Sequence, residues 1–178
     1  LEFALPSECA ERLAAGRADA GLVPSIELAR QGLEIIPGAG VAARGAVRSI
    51  LLVSKVEPSA IRRLAADSSS RTSVALAQMV LTRRYAARPE LTQHPPDLEA
   101  MLERADAAVL IGDPALRLNL RPLPYRVMDL GREWNEWTGL PMVFAVWGCC
   151  DKSLARELAP PLGDIHGRMG DGESCGMG

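Results

Sequence analysis

Apolar residues fall along this chain in short blocks separated by Pro, Ser and Gly, and the blocks alternate between helical spacing and continuous runs. Pro6-Ser7 opens a segment with Cys9, Leu13 and Ala14 on one helical face and Gly16 as its stop, while Leu1 to Leu5 ahead of it reads as the tail of a strand. Ala18 to Val23 then forms a buried strand, Pro24-Ser25 opens a second helix closed by Gly32, and Leu33 to Ile36 is another short strand. Strand and helix in alternation predict a parallel sheet flanked by helices. From Val41 to Ser54 the chain is rich in β-formers, broken only by Gly45, and predicts one long central strand ending in S-I-L-L-V-S.

A second batch follows. Pro58-Ser59 opens a short helix running to about Arg63, Leu64 to Ala66 is briefly extended, and Asp67 to Ser73, D-S-S-S-R-T-S, leads into a helix from Val74 to Tyr85. Leu91 to Gln93 is a brief strand, Pro95 to Arg104 a helix with Leu98, Met101 and Leu102 inward, and Ala107 to Ile111 a fully apolar strand. Gly112-Asp113-Pro114 repeats the strand-to-helix design. Arg126 to Leu130 and Leu140 to Trp147 are further strands, the latter after a W-N-E-W-T-G-L-P turn. The expected organisation is therefore a first α/β lobe over 1–54, a second over 55–138, a return strand and the start of a helix to the first lobe over 139–159, and a flexible Gly-rich tail over 160–178. A cleft between two such lobes, lined by strand C-terminal ends and helix N-termini, is a usual place for a small anionic ligand.

Composition narrows the partner. With 178 residues, 48% of them apolar, the chain can bury a real core. Twenty Lys and Arg stand against 22 Asp and Glu, a formal charge of −2, and no block of like charge occurs. That balance speaks against nucleic acid and membrane surfaces, so a bound anion has to be held by local donors. The longest apolar stretch, Gly139 to Cys150, contains Pro141 and Gly148 and falls short of the ~20 residues that span a bilayer. No signal-peptide pattern is present. Cys9, Cys149, Cys150 and Cys175 include no C-x-x-C pair and are accompanied only by His94 and His166, which fits neither a zinc site nor a disulfide framework. Buried, reduced thiols in a cytoplasmic protein are expected, with no metal.

The candidate chemistry centres on Ser70. If it caps the following helix, the backbone N–H groups of Arg71, Thr72 and Ser73 converge with their hydroxyls and the guanidinium on one point, which attracts an anion. An ordinary capped helix is the plain alternative. Ser25 sits at a strand-to-helix turn where a facing donor would be expected, although an N-cap explains it equally well. Asp113 is expected to cap its helix, and Gly112 to permit close backbone approach. Trp134, Trp137 and Trp147 suit either a ring-binding pocket or the core, and His94 an exposed loop.

Five segments, in order, resemble one family: P-S-E-C-A-E-R-L-A-A-G-R-A-D-A-G-L-V-P-S-I-E, G-A-V-R-S-I-L-L, S-S-R-T-S, L-I-G-D-P-A-L and D-L-G-R-E-W-N-E-W-T-G-L-P-M-V-F-A-V-W are similar to those of chorismate dehydratase of menaquinone biosynthesis. The similarity runs from Leu1 to about Trp147. It implies a two-lobed α/β fold like that of the type II periplasmic binding proteins, with a cleft between lobes. It implies conversion of chorismate to 3-[(1-carboxyvinyl)oxy]benzoate and water in the futalosine route, with no metal or organic cofactor. Within that resemblance Ser49 matches a serine of the family's site and is the catalytic candidate. Thr72 and Ser73 match its anion-binding turn, with Ser70, Arg71, Ser25 and Gly112 as further substrate-binding candidates. The substrate's own enolpyruvyl carboxylate is the base suggested in the family.

Family members begin with a strand and a Y-L-N segment and continue beyond Trp147 with helices, so the resemblance leads us to expect an incomplete first lobe. Two other functions share the fold: a solute-binding protein for a small carboxylate, and the 1,4-dihydroxy-6-naphthoate synthase of the same pathway. The latter is expected to use a site histidine, and neither His94 nor His166 lies in a matching motif.

Overall fold

The structure is a computed structural model that describes residues 2–67, 70–118 and 124–159. The chain divides into two α/β units, residues 1–41 with 145–178, and residues 42–144.

In the first unit, Pro6 starts helix α1 (Pro6–Ala14), where the Glu8 carboxylate accepts from the Leu5 N–H at 3.1 Å. Ala10 and Leu13 pack with Val23 of strand β1 (Ala20–Pro24) and with Leu33, just beyond the Gly32 cap of helix α2 (Ser25–Gln31). Strand β2 (Glu34–Ala43) and strand β8 (Met142–Cys149) complete a three-stranded sheet of order β1-β8-β2. β8 runs antiparallel to β1, Ala20 opposite Cys149 and Pro24 opposite Ala145. A helix over 152–159 follows, its start held by Asp151, which accepts from the Ser153 and Leu154 N–H groups at 2.6 and 3.3 Å.

The second unit is a five-stranded sheet of order β5-β4-β6-β3-β7, built from β3 (Ile50–Ser54), β4 (Arg63–Asp67), β5 (Glu90–His94), β6 (Ala107–Ile111) and β7 (Arg126–Asp129). Its inner strands are buried on both faces, and their residues alternate between two cores. Ile50, Leu52, Leu64, Ala66 and Val109 meet Leu76, Val80 and Leu130 of helices α3 (Arg71–Arg84) and α6 (Leu130–Thr138). Leu51, Val53, Ala65, Ala108 and Leu110 meet Leu98, Met101 and Ala115 of helices α4 (Leu98–Arg104) and α5 (Asp113–Leu118). α3 is tied to α6 by Glu133, which accepts from the Tyr85 hydroxyl at 2.8 Å and pairs with Arg84 at 3.1 Å. Burial, then this carboxylate, raises the Tyr85 phenol above its ordinary pKa.

Several expectations are corrected. The five-stranded sheet is mixed and not parallel, and β1 pairs antiparallel with β8 in the other. β4 runs parallel to β5 and β6, to which helical crossovers link it, but β3 is antiparallel to both β6 and β7 because no crossover helix connects them. The expected strand over Val41 to Ser54 is broken at 44–49, where Gly45 has φ +86° and Arg48 φ +58°. The two units divide after Val41 and before Ala145, and β3 pairs entirely within the second sheet. The W-N-E-W-T segment is the body of α6, capped by Asp129 and closed by Gly139 at φ +74°. Residues 2–5 form no strand, and the short helix at Pro58 is a single 3-10 turn ending at Ala60. His94 is the half-buried last residue of β5 rather than a loop residue. Cys149 is buried, Cys150 exposed, and both are free thiols, as is Cys9. The tail over 160–178, with His166 and Cys175, lies outside the described residues.

Asp106, at the start of β6, accepts through Oδ2 from the N–H groups of Arg62 and Arg63 at 3.0 and 2.9 Å. Its slight burial opposes its charge, but those amides and the Arg63 and Lys55 cations outweigh it and hold the carboxyl below the usual carboxylate range. A carboxyl depressed in this way stabilises the fold above its unfolded pKa, and that contribution is lost as pH falls through the folded value. Asp106→Asn is expected to melt at a lower temperature than the parent at neutral pH, and the gap in thermal denaturation is expected to close below about pH 4.

Candidate functional site

Strand direction gathers most of the candidates at one end of the second sheet. Because β4 and β6 are parallel, with Ala66 opposite Val109, their C-terminal ends lie together, and the turn into α3 and the Gly112 turn into α5 leave from that end. β3 runs the other way, Ile50 opposite Ile111, so its N-terminal end arrives there and brings Ser49. The Gly112 N–H donates to the Ser49 carbonyl at 2.8 Å. Ser49, Gly112 and the Ser70–Ser73 turn therefore share one end of one sheet.

At α3, Ser70 has extended backbone, φ −137° and ψ 107°, and its hydroxyl accepts from the Ser73 N–H at 3.4 Å. The Ser70 and Ser73 hydroxyls are hydrogen-bonded at 3.0 Å, and the first helical bond runs from the Val74 N–H to the Ser70 carbonyl at 3.2 Å. The cap is thus formed as expected. Ser68 and Ser69 of the same turn lie outside the described residues. Thr72 is 3% and Ser73 1% exposed, which is unusual for hydroxyls in the first turn of a helix. Thr72 Oγ1 is shielded from solvent and has no hydrogen-bond partner among the described residues. A buried polar atom left so costs about 1–3 kcal/mol, and it sits at the end of a 14-residue helix whose dipole favours an anion.

Ser49 stands in an unusual backbone. Its N–H donates to the Val47 carbonyl at 2.6 Å, closing a three-residue turn around Arg48, a non-glycine residue at φ +58°. Such a residue costs about 1–3 kcal/mol and persists only where its surroundings impose it. Asp129, at the end of β7, imposes it. Both of its carboxylate oxygens accept from the Val47 N–H at 3.1 Å, Oδ2 also accepts from the Arg48 N–H at 2.7 Å, and Oδ1 caps α6 through the Arg132 N–H at 2.9 Å. Gly131 completes the contact, since a Cβ there would meet Val47 Cγ1 at 2.7 Å and the Gly45 carbonyl at 2.8 Å. Reading residues singly missed Asp129 and Gly131. Their only signal was the D-L-G of the last resembling segment, which by itself reads as a strand end.

Gly112 has φ +67°, the conformation glycine adopts without strain, and a Cβ there would meet nothing within 4 Å. The Leu116 N–H donates to its carbonyl at 3.0 Å, so the cap position of α5 falls on Gly112 and Asp113 is the first helical residue, not the cap. Ser25 belongs to the other unit. It is the first residue of α2, whose cap position is Pro24, and it is therefore not an N-cap. Trp134 and Trp137 pack edge to face on α6 at 5.9 Å between ring centres, and Trp134 Nε1 donates to the Pro141 carbonyl at 3.3 Å. Trp147 packs with Ile36 and Cys149 in the first unit. Among the described residues no group of three or more His, Cys, Asp or Glu could hold a metal ion, and no helix is long and apolar enough to cross a membrane.

The family model described as menaquinone biosynthesis matches residues 1–165. The chain is 31% identical over 175 residues to the chorismate dehydratase of Thermus thermophilus, covering 89% of this chain and 62% of that protein. It is 32% identical over 148 residues to the chorismate dehydratase of Campylobacter jejuni, covering 83% of this chain and 52% of that protein. The chain thus spans between half and two thirds of the length of these relatives. Among solved structures it resembles protein AF1704 from Archaeoglobus fulgidus, with a TM-score of 0.60 and 16% identity over 97% of this chain and 70% of that one. It also resembles Tv2483 bound to L-arginine, with a TM-score of 0.53 and 11% identity over 94% and 68% of the two chains. At such identities these likenesses speak for the fold alone, an α/β fold in two units.

The orphan hydroxyl generates a test of its own. Thr72→Val removes it at nearly constant volume, so without ligand the variant is expected to be as stable as the parent or up to about 1 kcal/mol more stable in chemical denaturation. A clear loss of stability would mean that the hydroxyl is already partnered.

Proposed function

The chain belongs to the menaquinone biosynthesis family, and from that membership we propose that the enzyme carrying it is a chorismate dehydratase, converting chorismate to 3-[(1-carboxyvinyl)oxy]benzoate and water. The observation that carries the reading is the buried Thr72 hydroxyl, without a partner among the described residues, at the N-terminus of α3 and at the same end of the sheet as Ser49 and Gly112. A carboxylate there would accept from Thr72 and from the first N–H groups of the helix, relieving the cost of the orphan.

The reaction removes the ring proton on the carbon that bears the enolpyruvyl ether and breaks the bond to the neighbouring hydroxyl. The proton and the hydroxide leave as water, and the ring becomes aromatic without any oxidant. What the protein must do is hold two carboxylates, orient the departing hydroxyl and keep water out. Ser70 to Ser73 is assigned the first task for one carboxylate, with Arg71 as the cation. Ser49 is assigned the second, its hydroxyl donating to the leaving oxygen. Gly112 lets substrate come close, since no side chain stands above it. Ser25 is a further substrate-binding candidate from the family resemblance. The substrate is a small dicarboxylate, no cofactor takes part, and the free thiols Cys9, Cys149 and Cys150 suit the reducing cytoplasm, where the futalosine route would place the enzyme.

The reading is tested by incubating the purified protein with chorismate and following the aromatic product by ultraviolet absorbance and mass. Product is expected; chorismate retained on the protein without conversion would instead make it a small-carboxylate binding protein. Ser49→Ala is expected to lower kcat about 10²-fold with the fold intact. Thr72→Val is expected to weaken binding of chorismate about 10-fold or more by calorimetry, a loss that sets it apart from its neutral effect on stability.

A further inference from the structure

Ser49 does not reach its place by its own chain segment alone. The three-residue turn that presents it passes through Arg48 at φ +58°. It is held from across the chain: the Asp129 carboxylate accepts from the Val47 and Arg48 N–H groups, and the same carboxylate caps α6. Val47 packs into the core beside α6, against a glycine at 131 that leaves no room for a Cβ. On its other side Ser49 is fixed by the Gly112 N–H at 2.8 Å.

We propose that Asp129 is a positioning residue for Ser49, locking the turn over 45–48 so that the Ser49 hydroxyl meets the leaving oxygen, with Gly131 as the contact that lets α6 approach. The inference rests on the reading of Ser49 as a member of the site. The chemistry requires a carboxylate at 129. Its three donors are all backbone N–H groups, and an amide offers one acceptor atom and turns an NH₂ group toward donors it cannot bind. A misplaced hydroxyl loses transition-state contact while substrate binding at the α3 terminus persists, so the effect falls on kcat and not on KM.

The test is a double-mutant cycle in the chorismate reaction. Asp129→Asn is expected to lower kcat about 10- to 100-fold with KM within about twofold of the parent, and to add less than about threefold to the loss when Ser49 is already Ala. Should Asp129→Asn fail to fold, Gly131→Ala, which displaces Val47 and leaves the carboxylate in place, carries the same expectation. If Ser49→Ala loses activity and Asp129→Asn does not, or if the two losses multiply in the double variant, the positioning role is overturned while Ser49 keeps its place. If Ser49→Ala turns over normally, the reading of the site itself fails and this inference falls with it.

Discussion

Three backbone N–H groups from two parts of the chain end on one carboxylate, Asp129, and the arrangement of the site end of the second unit depends on that convergence. Val47 and Arg48 lie 82 and 81 positions away in sequence from the residue that accepts from them. The carboxylate satisfies donors that the irregular 44–49 segment could not pair within any ladder, and its negative charge is offset by the α6 N-terminus it caps. One group therefore stops a strand, starts a helix and holds a left-handed residue. Without it the turn before Ser49 would lose the acceptor of its Val47 and Arg48 N–H groups.

At the same end of the sheet, the anion site proposed at the α3 terminus is built mostly from neutral parts. The chain carries a formal charge of −2, so no broad positive field draws an acidic ligand in. What the α3 terminus offers instead is a set of fixed dipoles: helix N–H groups, the linked Ser70 and Ser73 hydroxyls, and the shielded Thr72 hydroxyl, with Arg71 as the one cation of the turn. Groups of this kind need no reorganisation when charge arrives, and in a shielded place each counts for more than it would in water.

The topology explains why these groups share one end. Helical crossovers make β4, β5 and β6 parallel, so their C-terminal ends and the helices that follow them point one way. A strand without such a crossover is free to insert in the opposite direction, and β3 does so between β6 and β7. Its start, not its end, then lies beside the helix termini. A serine just before an antiparallel strand is thereby placed next to turns that follow parallel ones.

The sequence by itself determined the helices with strong punctuation, such as Pro6 to the Gly16 stop and the Ser70 cap of α3, and the apolar strand Ala107 to Ile111, because caps, prolines and unbroken apolar runs act locally. The family resemblance and the Ser70–Ser73 turn were likewise legible, being contiguous in the chain. Strand direction was not, since an apolar run buried on both faces reads the same either way, and so a mixed sheet passed for a parallel one. Nor was the break at 44–49, whose β-rich composition is overridden by hydrogen bonds to Asp129 from across the sheet. Asp129 and Gly131 look like an ordinary strand end and an ordinary helical glycine until Val47 is brought against them. Local chemistry was written in order along the chain; which residues meet, and in which direction the strand bearing Ser49 runs, was decided only by long-range packing.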